Sequence, residues 1–149
     1  MRLPSTPAHT LQGLDARVPD DFTGARNAVL MVFDKSHLVA VPPWHSVLRQ
    51  HLASHPGAGF YTLILIDEVP PWRRHLTEWN LRLEIADDEL IQDTAVLWQD
   101  RRRWLEASET PSIEEPLLVI ASPDGAIHAT APGLPKPMAT SRLIDALQS

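Results

Sequence analysis

Ala28-Val29-Leu30-Met31-Val32-Phe33 is an unbroken apolar run of strand length. A strand covered on one side alternates apolar with polar residues, so a run without alternation predicts a central strand with both faces covered. Beyond it, Leu38 to Trp44 reads as an apolar loop. Pro43 is placed as the first residue of a helix, where its missing N–H would have had no partner. Trp44, Val47, Leu48, His51 and Leu52 then recur at helical spacing while His45, Arg49 and Gln50 face away, until Pro56-Gly57 ends the segment. Tyr61 to Ile66 is a second apolar strand. Strand, helix and strand in this order form a βαβ unit, which crosses over right-handed between parallel strands.

Further along, Trp72, Leu76 and Trp79 follow Pro70-Pro71 at spacings of four and three, as on one face of a helix. Leu81-Arg82-Leu83-Glu84-Ile85 switches to a period of two and predicts a half-buried strand. Asp87 and Asp88 supply a cap and acidic first turn for a helix that carries Leu90, Ile91, Ala95, Trp98 and Leu105 to about residue 107, with room for a break near Gln99 and Asp100, and residues 108–115 are a loop. Leu117-Leu118-Val119-Ile120 leads into Ser122-Pro123-Asp124-Gly125, with proline second and glycine fourth as in a tight turn, so residues 126–130 return as the hairpin partner. A Pro-Gly-rich loop over 132–137 precedes a terminal helix capped by Thr140 or Ser141, with Leu143, Ile144 and Leu147 on one face. Residues 1–26, with Pro4, Pro7 and Pro19 and no sustained period, read as an irregular lead-in to a single domain over 27–149.

Composition narrows the function. The chain has 149 residues, a net charge of −6, 44% hydrophobic residues and no cysteine. That suits one globular domain and excludes a disulfide-stapled miniprotein. Without cysteine there is no thiol nucleophile, thiolate metal site or iron–sulfur cluster. The acidic balance argues against nucleic acid and anionic membrane as partners, because both draw on clustered positive charge. The N-terminal residues lack a secretory apolar stretch, and no run approaches the roughly 20 apolar residues of a membrane span, so the expectation is a cytoplasmic protein.

The order βαβ, helix, strand, helix, hairpin and final helix resembles the thioredoxin-like fold, in the branch of peroxiredoxins and TlpA/ResA-type thiol-disulfide proteins. Val29 to Phe33, Pro43 with its helix, and Pro116-Leu117-Leu118-Val119-Ile120 before Ser122-Pro123-Asp124-Gly125 carry the resemblance, which spans roughly Asn27 to Leu147. It implies an α/β architecture with a central mixed sheet of about five strands flanked by helices. It also implies a cis proline before the hairpin, at Pro116. Where the family carries Cys-x-x-Cys this chain has Leu38-Val39-Ala40-Val41, give or take a residue. These side chains have no ionisable group to attack a disulfide or peroxide, so the family's redox function does not transfer.

The resemblance also implies that Leu38, Val39, Ala40, Val41, Trp44 and Pro116 lie where family members hold extended peptide segments. An exposed patch there would mark a protein partner's site, with Trp44 as anchor. The alternative is that the same side chains plug the helix into the sheet. Ser36, His37 and His45, near the helix N-terminus, are candidates for a thiol or anionic small molecule, bound or processed. His51 and His55 are four apart and make half of a metal pair, but no third ligand is evident even counting Asp34 and His37, so no metal or other cofactor is expected. Trp98 to Trp104 encloses three arginines and reads as a solvated helix face. The acidic pairs Asp20-Asp21, Asp87-Asp88 and Glu114-Glu115 cannot converge from adjacent positions. No catalytic residue is assigned. The reading is a non-redox protein-binding or assembly module, with a small-molecule binding protein or enzyme as the alternative.

Overall fold

The computed structural model describes residues 2–66, 70–85 and 87–148. Its strands are β1 (Thr6–Thr10), β2 (Asp15–Val18), β3 (Arg26–Val32), β4 (Ala58–Leu65), β5 (Thr94–Leu97), β6 (Leu117–Ala121) and β7 (Ile127–Pro132). The helices are α1 (Val41–Ser54), α2 (Pro71–Ile85), α3 (Asp88–Gln92), α4 (Arg101–Ala107) and α5 (Pro137–Gln148), and a 3-10 turn over Lys35–Ala40 runs directly into α1. The strands form one mixed sheet of seven in the order β2-β1-β5-β4-β3-β6-β7. β3 and β4 pair parallel, as do β4 and β5, while the remaining neighbours are antiparallel.

β3 is the hub, hydrogen-bonded to β4 on one side and β6 on the other. Because successive side chains of a strand point to opposite faces, its apolar run feeds two cores at once. Ala28, Leu30 and Val32 join Trp44, Leu48, Leu118, Ile120 and Leu143 on one face. Val29, Met31 and Phe33 join Phe22, Leu63, Trp104 and Val119 on the other. Trp44 from α1 and Trp98, which follows β5, are buried on the first face, and Trp104 from α4 fills the second.

The β6–β7 turn closes as the sequence implies, with the Gly125 N–H donating to the Ser122 carbonyl at 2.9 Å. Gly125 has φ +91°, and a Cβ there would lie 2.5 Å from the Leu3 carbonyl oxygen, so glycine is needed both for backbone conformation and for close approach.

Several expectations are corrected. The lead-in expected to be irregular contains two strands: β1 and β2 form a hairpin, and β1 pairs with β5 within the main sheet, which raises the strand number from about five to seven. Residues 81–85 are the last turns of α2, not a strand. Two residues along a helix is a rotation of about 200°, so Leu81 is buried while Leu83 is 64% exposed. The helix expected from Asp88 to about 107 is split into α3, β5 and α4: the break left open near Gln99 and Asp100 is present, since α4 starts at Arg101, but Thr94–Leu97 before it are strand. Thr94 to Leu97 are all buried, and a fully buried strand has no alternation to separate it from a helix. The terminal helix begins at Pro137, and α1 begins at Val41, two residues before Pro43. Among the described residues the only cis peptide bond is Val18–Pro19, so Glu115–Pro116 is trans and the cis proline expected at Pro116 is absent.

Candidate functional site

The segment leaving the C-terminal end of β3 is where the sheet, the 3-10 turn and α1 meet. Asp34 caps that turn: its carboxylate accepts the Ser36 N–H at 3.3 Å and the Ser36 hydroxyl. The hydroxyl bond is the main reason that the Asp34 carboxyl is held below its ordinary range, with the backbone N–H of Ser36 next. The Ser36 hydroxyl proton is therefore already given to Asp34.

His37 is buried, and both ring nitrogens are used. Nδ1 accepts the Phe33 N–H at 3.2 Å, so Nε2 carries the proton and donates to the Glu114 carbonyl at 3.0 Å. His37 is a peg joining the end of β3 to the segment before β6. His45 rests edge-on against Phe60, with ring centroids 5.4 Å apart. Ser36, His37 and His45 thus engage three separate neighbours and do not form a free polar set.

The apolar candidates divide sharply. Val39 is 72% exposed and Leu38 is half-buried, but Ala40, Val41, Trp44 and Pro116 are buried. The Trp44 indole N–H donates to the Gly133 carbonyl at 2.8 Å, so the polar edge of the ring is engaged along with its faces. Residues 40, 41 and 44 plug α1 into the sheet, and Trp44 cannot anchor a partner from there. The correction has a physical reason: the chain coils into a 3-10 turn and helix from Lys35 onward, which turns most of the expected loop inward.

His51 and His55 stack at 4.2 Å between centroids, and His55 Nδ1 donates to the His51 carbonyl at 3.0 Å. Among the described residues no group of three or more His, Cys, Asp or Glu is placed to hold a metal. Burial, and then the charge of His55, lower the pKa of His51 from the ordinary 6.5. A depressed folded-state value means that the unfolded chain binds protons more readily, so stability is full above that ordinary value and falls as pH drops through the folded one. Burial, with Arg26 next, moves His128 the same way. Denaturant unfolding at about pH 8 and about pH 5 should show the wild type losing more stability on acidification than His51→Gln. Equal losses would remove His51 from the account.

The surface that the sequence reading did not assign lies on α2. Trp72, Leu76, Trp79 and Leu83 are 77%, 59%, 58% and 64% exposed. At 100° per residue the four fall within an arc of about 60°. Arg73 and Arg82 lie over the Trp72 and Trp79 rings, each 5.8 Å from the centroid. The opposite side of α2 is fixed to the domain: Leu81 enters the core, and buried Glu78 bonds to His9 Nδ1 on β1. Lys35 Nζ meets Glu84 Oε1 at 2.9 Å. Beside that ion pair is a cavity of about 210 Å³ with Leu38, Val39 and Ile85 in its wall, so the exposed edge of the 3-10 turn adjoins the C-terminal end of the stripe. The spacing of three of these residues was visible in the sequence. Which side of the helix faced the core was not.

Among the described residues no helix is long and apolar enough to cross a membrane. The sequence matches no protein-family profile and no curated protein. Solved structures do match it. The exposed lipoprotein thioredoxin of Streptococcus pneumoniae is 16% identical with a TM-score of 0.58, over 97% of this chain and 100% of that one. The thioredoxin domain of a thiol-disulfide oxidoreductase from Bacteroides vulgatus is 16% identical with a TM-score of 0.59, over 99% and 94%. A thiol-disulfide oxidoreductase from Bacteroides fragilis is 12% identical with a TM-score of 0.60, over 99% and 100%. Thiol-disulfide exchange proceeds by attack of a thiolate on a disulfide sulfur, and this sequence contains no cysteine. Sheet order, helix placement and these structural likenesses together show a thioredoxin-like α/β fold, here in a sequence without cysteine.

Proposed function

We infer that the protein is a non-redox binding or assembly module whose docking face is α2. One observation carries this reading: two tryptophans and two leucines stand exposed in a single narrow stripe. Exposed apolar residues scattered singly need no explanation, but a contiguous set containing aromatic rings marks a surface that is covered in use. Spacings of four, three and four are those with which one helix presents side chains to another. The occupant that fits is an apolar helix face of a polypeptide. The docking surface thereby moves from the expected residues 38–44 to α2, with Val39 at its margin.

A photo-crosslinking amino acid at position 76 of the full chain, produced in its native host, tests the reading. The expected result is a defined protein adduct that disappears when Trp79 is also changed to aspartate. A probe at exposed Arg102, on α4, serves as control. An adduct at position 76 no stronger than at position 102, or one that survives Trp79→Asp, would overturn the reading.

A further inference from the structure

We propose that the occupant of the α2 face is a second copy of this chain, with the two α2 helices packed antiparallel about a twofold axis between Leu76 and Trp79. The inference rests on the preceding reading of α2 as the docking face and adds the partner's identity.

The first argument is the order of the side chains. Read in either direction from the midpoint between residues 77 and 78, the stripe has members at the same offsets, Leu76 with Trp79 and Trp72 with Leu83. An antiparallel pair about that midpoint sets Trp72 against Leu83 of the second copy, and Leu76 against Trp79. Every contact then joins a large ring to a branched aliphatic side chain, four times along the seam. A twofold interface requires such self-complementarity, because one patch must serve as both surfaces. The parallel arrangement would instead stack ring on ring and leucine on leucine.

Charge selects the same geometry. At 100° per residue, Arg73 and Glu84 lie on the same flank of the stripe, about 20° apart in azimuth and at opposite ends of α2. Antiparallel pairing brings Arg73 of each copy beside Glu84 of the other, once at each end. Parallel pairing would carry the second copy's Arg73 and Glu84 to the other flank of the seam and leave Glu84 eleven residues along the helix from Arg73, so neither end contact would form. Glu84 already meets Lys35, yet 48% of its side chain remains exposed, and a second cation can reach it.

The area is also of the right order. Given their exposures, the four side chains present on the order of 500 Å² per chain. Two copies together come to about 1,000 Å², close to the lower end of specific interfaces, where reversible dimers of micromolar affinity are found.

Sedimentation velocity of the full chain from about 1 to about 500 μM should show a monomer–dimer equilibrium, and Trp79→Asp should raise Kd by at least about 30-fold. Far-UV circular dichroism confirms that each variant is folded. Arg73→Glu alone and Glu84→Arg alone should each weaken the dimer, whereas an equimolar mixture of the two should form a heterodimer, since both end contacts are then of opposite sign. A monomer throughout, a dimer indifferent to Trp79→Asp, or a mixture no tighter than its components would overturn the proposal. The crosslink at position 76 separates this failure from that of the broader reading. A monomeric chain crosslinked there to a different protein overturns self-pairing only, and one crosslinked to nothing overturns both.

Discussion

Trp44→Ala is expected to lower the unfolding free energy by about 3–5 kcal/mol, the range for deleting a large aromatic side chain from a close-packed core. Trp44 is fully buried among Ala28, Leu30, Val32, Leu48 and Leu143, so no solvent-facing side of the ring exists to soften the loss. The substitution also removes the donor to the Gly133 carbonyl, a buried position where an acceptor left without a partner adds its own penalty. Trp44→Phe separates the two effects. It keeps most of the ring and loses only the N–H, and should cost about 1–3 kcal/mol. Urea unfolding followed by circular dichroism checks both, and a Trp44→Ala loss below that of Trp44→Phe would contradict the packing described. The result bears on function too. A change at Trp44 reports on folding, and reduced partner binding by such a variant says nothing about a docking surface.

His9→Ala is expected to destabilise the protein more than Glu78→Ala, although His9 is the more exposed member of the pair. Side-chain exposures are 28% for His9 and 5% for Glu78. Removing the histidine leaves a carboxylate enclosed between α2 and β1 without its partner, which costs about 3 kcal/mol where one member of a buried pair is deleted. Removing the glutamate leaves an imidazole that solvent already reaches, so the loss should be about 1 kcal/mol. His9→Leu combined with Glu78→Leu should recover most of the stability, because two apolar side chains of fitting volume replace a pair that was expensive to bury. The measurement is a denaturant double-mutant cycle. Equal single losses, or a double variant as weak as His9→Ala, would show that Glu78 is not held by His9. Because this contact ties α2 to the sheet, His9→Ala should also loosen the exposed stripe.

Much of this architecture is legible in the sequence, for reasons that differ by element. β3, β4 and β6 are read correctly because a strand covered on both faces needs uninterrupted apolar residues, and Ala28 to Phe33 shows this plainly. The β6–β7 turn is legible because Pro123 and Gly125 occupy positions that only a few residues tolerate. β1 and β2 are hidden because Pro7 interrupts the first and the second is a four-residue edge strand, Asp15–Val18, whose Arg17 and Asp15 face water. β5 is hidden because its four buried residues also fit helical spacing. The site is less legible than the fold. Periodicity along Trp72, Leu76 and Trp79 identifies a face, but the same pattern serves a face turned into the core and one turned to solvent. Only the opposite anchors, Leu81 in the core and Glu78 on His9, decide between them. Trp44 shows the converse, since an apolar residue at a familiar binding position was drawn inward by the helix that begins three residues before it.

The five tryptophans fall into two optical classes. Trp44, Trp98 and Trp104 are at most 7% exposed, whereas Trp72 and Trp79 both stand in water on α2. Indole emission moves to longer wavelength with solvent contact, so the native spectrum is a sum of a blue component from the core and a red one from a single helix. A small neutral quencher should extinguish the red component first. Whatever covers α2 should shift that component alone, while unfolding shifts the other, so the chain reports occupancy and integrity in separate parts of one spectrum without any attached dye.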